Sequence, residues 1–264
     1  MFVLGKGKST GKIVNSVSDG GVIISTTHYS VEECNHGIHC HENPHICFVL
    51  QGGDIEKRNN CSYERKTGDI YFYYAGEAHS SVSRKGISKN TVIEFGKTFL
   101  ERYGISESQI DRAVKDNLDA KFLILRTQKE AFIDDGCSPL IIQTLLLNLV
   151  SHSSDSHDKS APKWVQRLSD FLNDKWNEPI TLQELATAIE THPVTISKHF
   201  RRYFFCTLGE YLRKRKIDKS IQLIKDSRMS LTAIALHCGF ADQSHFTRTF
   251  KQMTGFLPKE FRAI

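Results

Sequence analysis

Between Gly11 and Gly96 the apolar positions fall in short β-branched and aromatic runs separated by glycine and asparagine. The clearest are Gly21-Val-Ile-Ile-Ser, Ile46-Cys-Phe-Val-Leu-Gln-Gly-Gly, Ile70-Tyr-Phe-Tyr-Tyr and Thr91-Val-Ile-Glu-Phe. Runs of this length with turn residues between them predict a compact all-β barrel or sandwich. From Ser106 the period becomes helical, with Ile110, Ala113, Val114 and Leu118 on one stripe. Leu140–Val150 is apolar almost throughout, as a core helix or a subunit contact is. Residues 151–162 are polar, serine-rich and end in proline, the texture of a linker. Beyond them every apolar pattern is helical, and the expected helices span about 164–175, 182–189, 193–204, 209–226, 231–238 and 243–254. Thr181 and Ser230 precede leucine-led amphipathic runs as N-caps do, and Pro193 suits a first turn.

The pattern gives an α+β chain of two domains. Residues 1–150 form a β-barrel over about 11–100 with helices over about 105–150, and residues 163–264 form an all-helical domain. Within the helical half one unit occurs twice. Leu182-Gln-Glu-Leu185-Ala186 leads to Ile196 and Phe200-Arg201, and Leu231-Thr-Ala-Ile234-Ala235 leads to Phe246 and Phe250-Lys251. Each is a short helix, a turn and a second helix whose apolar residues lie four apart beside a basic one, which is the texture of a helix-turn-helix.

Charge sharpens this reading. Residues 161–264 hold 17 Lys+Arg against 10 Asp+Glu, net +7, whereas residues 1–160 are net −2. A basic half implies a polyanionic partner or a solvated basic face. No apolar stretch approaches the roughly 20 residues of a membrane span. The first eleven residues carry no apolar stretch of signal-peptide length, so a cytoplasmic location is expected. The 7 cysteines are scattered without a C-x-x-C pair and read as reduced thiols.

Residues 164–262 resemble the DNA-binding domain of the AraC/XylS transcription regulators. The second unit carries Ile234-Ala235, Gly239-Phe240, Phe246, Arg248, Phe250-Lys251, Gly255, Pro258 and Phe261-Arg262 at the family spacing. The first carries Leu185-Ala186, Ile196-Ser197, Phe200-Arg201, Gly209, Tyr211-Leu212 and Arg215-Lys216-Ile217. It departs at Glu190 and Phe205, where the family has glycine, at His192, where it has a serine cap, and at Leu208, where it has proline.

The resemblance implies an all-helical domain of two helix-turn-helix motifs joined by a long helix. Its two recognition helices would enter major-groove segments about 34 Å apart. The base-facing positions it implies are Val194, Ser197 and Lys198 in the first recognition helix, and Gln243, Ser244, His245 and Arg248 in the second. Lys198 and Arg248 suit guanine acceptors, Val194 a thymine methyl and Gln243 adenine. Arg202, with Arg201, Lys214 and Lys251, is expected on phosphate, which anchors without specifying sequence. Phe200, Ile234, Phe240, Phe246 and Phe250 are expected in the core.

The β half holds His39-x-His41-x3-His45 and, after Gly68-x7-Gly76, His79. Histidines at i and i+2 on a strand share a face and can hold one ion with a third ligand from a neighbouring strand. The spacing resembles the two cupin motifs, with His45 in place of the usual glutamate and Tyr74 in place of a proline. The resemblance implies a cupin-like sensor domain in which His39, His41, His45 and His79 would hold zinc, iron, nickel or copper, or remain as remnants without an ion. The barrel interior is also a natural pocket for a small aromatic or sugar-like effector.

The expected function is sequence-specific binding of promoter DNA. The N-terminal domain would sense a small molecule or mediate homodimerisation through the 105–150 helices, and a contact with RNA polymerase is compatible with the class. The alternative is a metal-dependent cupin enzyme or metal sensor fused to a DNA-binding module. No phosphate loop and no nucleophile–base constellation is visible, so the chain is not expected to be an enzyme.

Overall fold

The computed structural model describes residues 1–30, 35–59, 61–83, 87–133, 135–151 and 162–264. Cys34 and the interior of the expected linker lie outside the described residues. The chain divides into two compact units, one built on Met1–Ser153 and the other on Ser154–Met253 with Leu257–Ala263.

The described residues of the first unit form ten strands: β1 Phe2–Leu4, β2 Lys12–Asp19, β3 Val22–Tyr29, β4 Asn35–His41, β5 His45–Gln51, β6 Asp54–Arg58, β7 Cys61–Glu64, β8 Ile70–Tyr73, β9 His79–Ser83 and β10 Ser88–Phe95. They form two five-stranded sheets, ordered β1-β4-β9-β6-β7 and β2-β3-β10-β5-β8. Among the described residues β1 pairs parallel with β4, and the other pairings are antiparallel. The sheet begins at Phe2, so the barrel starts before the expected Gly11.

Alternation along the strands separates two environments. Ser25, Thr27, Asn90, Glu94, His45 and Cys47 line a cavity between the sheets. The alternate residues Ile46, Phe48, Ile93 and Phe95 are inaccessible on the opposite face. Helices cover that face: α1 Lys97–Tyr103, α2 Glu107–Asp116, α3 Ala120–Ala131 and α4 Ser138–Ser151. Phe99 meets Phe95 with ring centres 5.9 Å apart, and Gln128 reaches Thr26. Leu118, expected on the stripe of α2, falls beyond its C-terminal end because Asn117 leaves the helix in an extended conformation.

The second unit is helical, with α5 Lys163–Asp174, α6 Leu182–Ala188, α7 Pro193–Phe204, α8 Leu208–Asp226, α9 Leu231–His237, α10 Gln243–Thr254 and α11 Pro258–Ala263. Thr181 caps α6 in a reciprocal box with Glu184, and Ser230 accepts a hydrogen bond from the Ala233 amide at the start of α9. Pro193 occupies the first turn of α7. The pairs α6–α7 and α9–α10 are the two helix-turn-helix units, and α8, roughly 28 Å long at 1.5 Å per residue, runs between them.

The non-family residues of the first unit occupy the conformations that the family sequence implies. Glu190 and Phe205 take positive φ, 53° and 55°, where glycine is the unstrained choice. His192 caps α7 by accepting the Val194 amide on Nδ1 at 3.3 Å. Leu208 begins α8 behind a Thr207–Glu210 capping box.

The turn of the second unit is held from two sides. Asn177, in the segment after α5, donates through Nδ2 to the His237 carbonyl at 3.2 Å. Lys216 of α8 donates to the Gly239 carbonyl at 2.8 Å. Gly239 has φ +72°, and a Cβ there would stand 2.3 Å from the Asn177 carbonyl oxygen, so no larger residue fits without movement.

Candidate nucleic-acid interface and barrel cavity

Each helix-turn-helix unit buries one face of its second helix and exposes the other. In α7, Ile196 and Phe200 are buried, whereas Val194, Ser197, Lys198, Arg201 and Arg202 are exposed, Val194 at 62% despite being apolar. In α10, Phe246 and Phe250 are fully inaccessible, whereas Gln243, Ser244, His245, Arg248 and Lys251 are exposed. The eight expected DNA-contacting side chains therefore lie on two solvent-facing helix surfaces.

Local contacts set several of these side chains. Asp242 accepts the His245 amide at 2.7 Å and caps α10. The His245 ring stands edge-on to Phe240, centres 5.3 Å apart. Thr232 of α9 donates through its hydroxyl to Gln243 Oε1 at 2.6 Å. Neither Thr232 nor Asp242 is marked by the repeat, because each acts only through a residue on the recognition helix. In the core behind α10, Phe240, Phe246, Phe250 and Phe261 form a chain of ring contacts of 5.3–5.7 Å.

The cavity of the first unit gathers the four histidines. His39 and His79 face each other across the β4–β9 pairing. Donor atoms of His39, His41 and His79 all lie within 4.8 Å of one another, the spacing of a metal-ligating set. His45 stands behind His41, ring centres 4.3 Å apart, and lies flat against Tyr73. The Nδ1 atoms of His39 and His79 each lie 3.0 Å from a backbone carbonyl, Gly37 and Glu77 respectively. Nδ1–H donation to those carbonyls leaves Nε2 as the basic nitrogen, the tautomer that metal-bound histidines adopt.

Burial holds these rings neutral, bringing His41 down to about 4 and His79 to about 3 and lowering His39 as well. Deeper in the cavity, Arg65 pairs with Asp54 and with Glu56, and donates to the Tyr73 hydroxyl at 2.8 Å. Tyr73 in turn donates to Glu56, whose carboxyl burial raises against the pull of Arg65.

These histidines predict an acid-sensitive domain. An imidazole whose folded pKa lies below its unfolded value of 6.5 binds fewer protons when folded, so folding stability is complete above 6.5. It is lost as the pH falls through that value, toward about 4 for His41 and about 3 for His79. Melting curves that follow the β signal should show the midpoint dropping across this window in the wild type, and dropping less after His41→Asn.

A basic all-helical domain that presents the polar faces of two second helices defines a DNA-binding transcription regulator. Residues 185–264 match a family model described as a helix-turn-helix domain. The motif spacing of both units is similar to that of the AraC/XylS regulators. Among curated proteins, the chain is 23% identical over 244 residues to the HTH-type transcriptional activator RhaR of Shigella dysenteriae and of Escherichia coli, covering 86% of either chain. Among solved structures it is similar to ToxT from Vibrio cholerae, with 13% identity, 92% of this chain and 98% of that chain covered, and a TM-score of 0.38. The DNA-binding domain of AdpA, solved with a target DNA, matches with 18% identity over 39% of this chain and 92% of that one, TM-score 0.36. No helix among the described residues is long and apolar enough to cross a membrane.

Proposed function

We propose that the chain binds promoter DNA as a sequence-specific regulator, with α7 and α10 entering successive major-groove segments on one side of the duplex. The observation that carries this is the exposure of polar and basic side chains on both second helices, over aromatic residues that anchor those helices from behind. Val194, Ser197 and Lys198 face one segment, and Gln243, Ser244, His245 and Arg248 the other, while Arg202 holds phosphate.

Selection of bound sequences from random duplexes tests the reading. A bipartite motif about one helical turn apart supports it, and the absence of any enriched sequence rejects it. Arg248→Ala should weaken specific binding by ~1–3 kcal/mol and relax preference at one base position. An equal loss on specific and random DNA would reduce Arg248 to a phosphate contact.

The relatives named as transcriptional activators favour activation, which a contact with RNA polymerase would deliver. They also favour a non-enzymatic role. The exposed apolar residues of α4, Leu140 at 70% and Ile141, are the proposed homodimer contact, and sedimentation of the purified chain at a monomer mass would exclude it.

A second reading rests on the cavity. His39, His41 and His79 fit a divalent transition metal by donor spacing, tautomer and neutral charge. Bound there, an ion would supply a coordination position for an oxygen or nitrogen atom of an effector. The protein's own part is to keep the three imidazoles neutral and their Nδ1 atoms engaged. Elemental analysis of purified protein, with and without His39→Ala and His79→Ala, decides it: metal lost with either histidine supports the reading, and no stoichiometric metal ends it. Either sensor mode acts only through a difference in effector affinity between two states of the regulator.

A further inference from the structure

The second recognition helix opens with Gln243, the residue whose amide offers both a donor and an acceptor to a base edge. The hydroxyl of Thr232 donates to Gln243 Oε1 at 2.6 Å. Thr232 lies in the first turn of α9, the supporting helix, and both side chains sit at the exposed side of the unit. As a β-branched residue threonine has few χ1 rotamers, and the one adopted here brings its hydroxyl within donating distance of Gln243.

Bidentate recognition of adenine needs a glutamine that accepts from N6 with Oε1 while donating to N7 with Nε2, so the amide must turn its oxygen toward the base. The bond from Thr232 holds that oxygen toward α9 and turns the two Nε2 hydrogens away from it. A glutamine restrained in this way offers donors, and the major-groove edge made only of acceptors is that of guanine, N7 and O6.

We propose that Thr232 is a positioning residue that sets the base preference of Gln243, biasing it toward guanine and away from adenine without itself touching DNA. The inference rests on α10 being a recognition helix. It adds a determinant on the other helix of the unit, and it revises the adenine pairing that the sequence suggests for Gln243.

Selection from random duplexes with the full chain tests it, run in parallel on the wild type, Thr232→Val, Thr232→Ser and Gln243→Ala. Gln243→Ala identifies the position that Gln243 reads, as the one whose preference collapses. There the wild type should favour guanine over adenine by about tenfold or more. Thr232→Val, which keeps the shape and removes the hydroxyl, should bring the two bases within about threefold, with the rest of the motif and the melting temperature unchanged. Thr232→Ser, which restores the hydroxyl, should return the wild-type profile.

A Thr232→Val profile identical to the wild type, beside a changed Gln243→Ala profile, overturns the role of Thr232. So does an adenine preference in the wild type. If Gln243→Ala alters no position, Gln243 reads no base and the inference falls. If the wild type enriches no motif at all, the reading of α10 as a recognition helix fails first, a result distinct from the others.

Discussion

Arg65→Met should destabilise the N-terminal domain by about 3–5 kcal/mol, the usual cost of removing one member of a buried ion pair. Arg65 is buried and is the cation shared by Asp54 and Glu56, with Tyr73 and Ser81 completing its hydrogen bonds. Methionine fills much of the same volume but leaves two carboxyl groups facing each other in the cavity. Arg58, 3.7 Å from Glu56, answers only one of them. Replacing the whole cluster, with Asp54→Asn and Glu56→Gln added, should recover part of the loss, because the uncompensated charge is the larger share of the cost. Denaturant titration followed through the β signal measures both variants. An Arg65→Met midpoint equal to the wild type would show that the cluster contributes nothing to folding.

The second large effect belongs to the other unit. Phe250→Ala should cost about 3–5 kcal/mol, the range for deleting a fully buried aromatic ring. Phe250 is inaccessible and touches Phe246 and Phe261 at ring distances of 5.7 and 5.6 Å, so its loss opens the floor beneath α10. The chain's 2 tryptophans, Trp164 and Trp176, both lie in this unit, so tryptophan fluorescence follows its unfolding separately from the barrel. Specific DNA binding should fall with it, while the unfolding midpoint of the barrel, followed through the β signal, stays as in the wild type. Retained sequence-specific binding at full affinity would contradict the role given to α10.

Much of the helical half is readable from sequence because its two units bury the same apolar spacing twice. The expected spans of α5 to α10 agree with the structure to within one residue at either end. The short α11 was not expected: Pro258 opens it, and six residues show little periodicity.

The barrel is legible only where one face packs on helices. β3, β5, β8 and β10 are apolar enough to stand out, whereas β7 and β9, Cys-Ser-Tyr-Glu and His-Ser-Ser-Val-Ser, are polar on both faces. β7 is exposed throughout, and the inward positions of β9, His79 and Ser81, look into a cavity lined by charge and imidazole, so the alternation that marks a strand is missing. The histidine spacing pointed to the cavity, but the Arg65–Asp54–Glu56–Tyr73 cluster gave no signal, since its members are scattered over three segments. The left-handed turns at Glu190 and Phe205 are marked only by the glycines that the resembled family carries there, because neither residue by itself announces positive φ.

The hold that Asn177 and Lys216 keep on the Gly239 turn makes the helical unit a caliper with locked jaws. An operator for such a protein has no slack between its two halves. One extra base pair inserted there would swing the far half by about 35° around the duplex axis, taking it out of reach of the second jaw. Sites related by insertion or deletion should therefore be silent, even where every contacted base is kept.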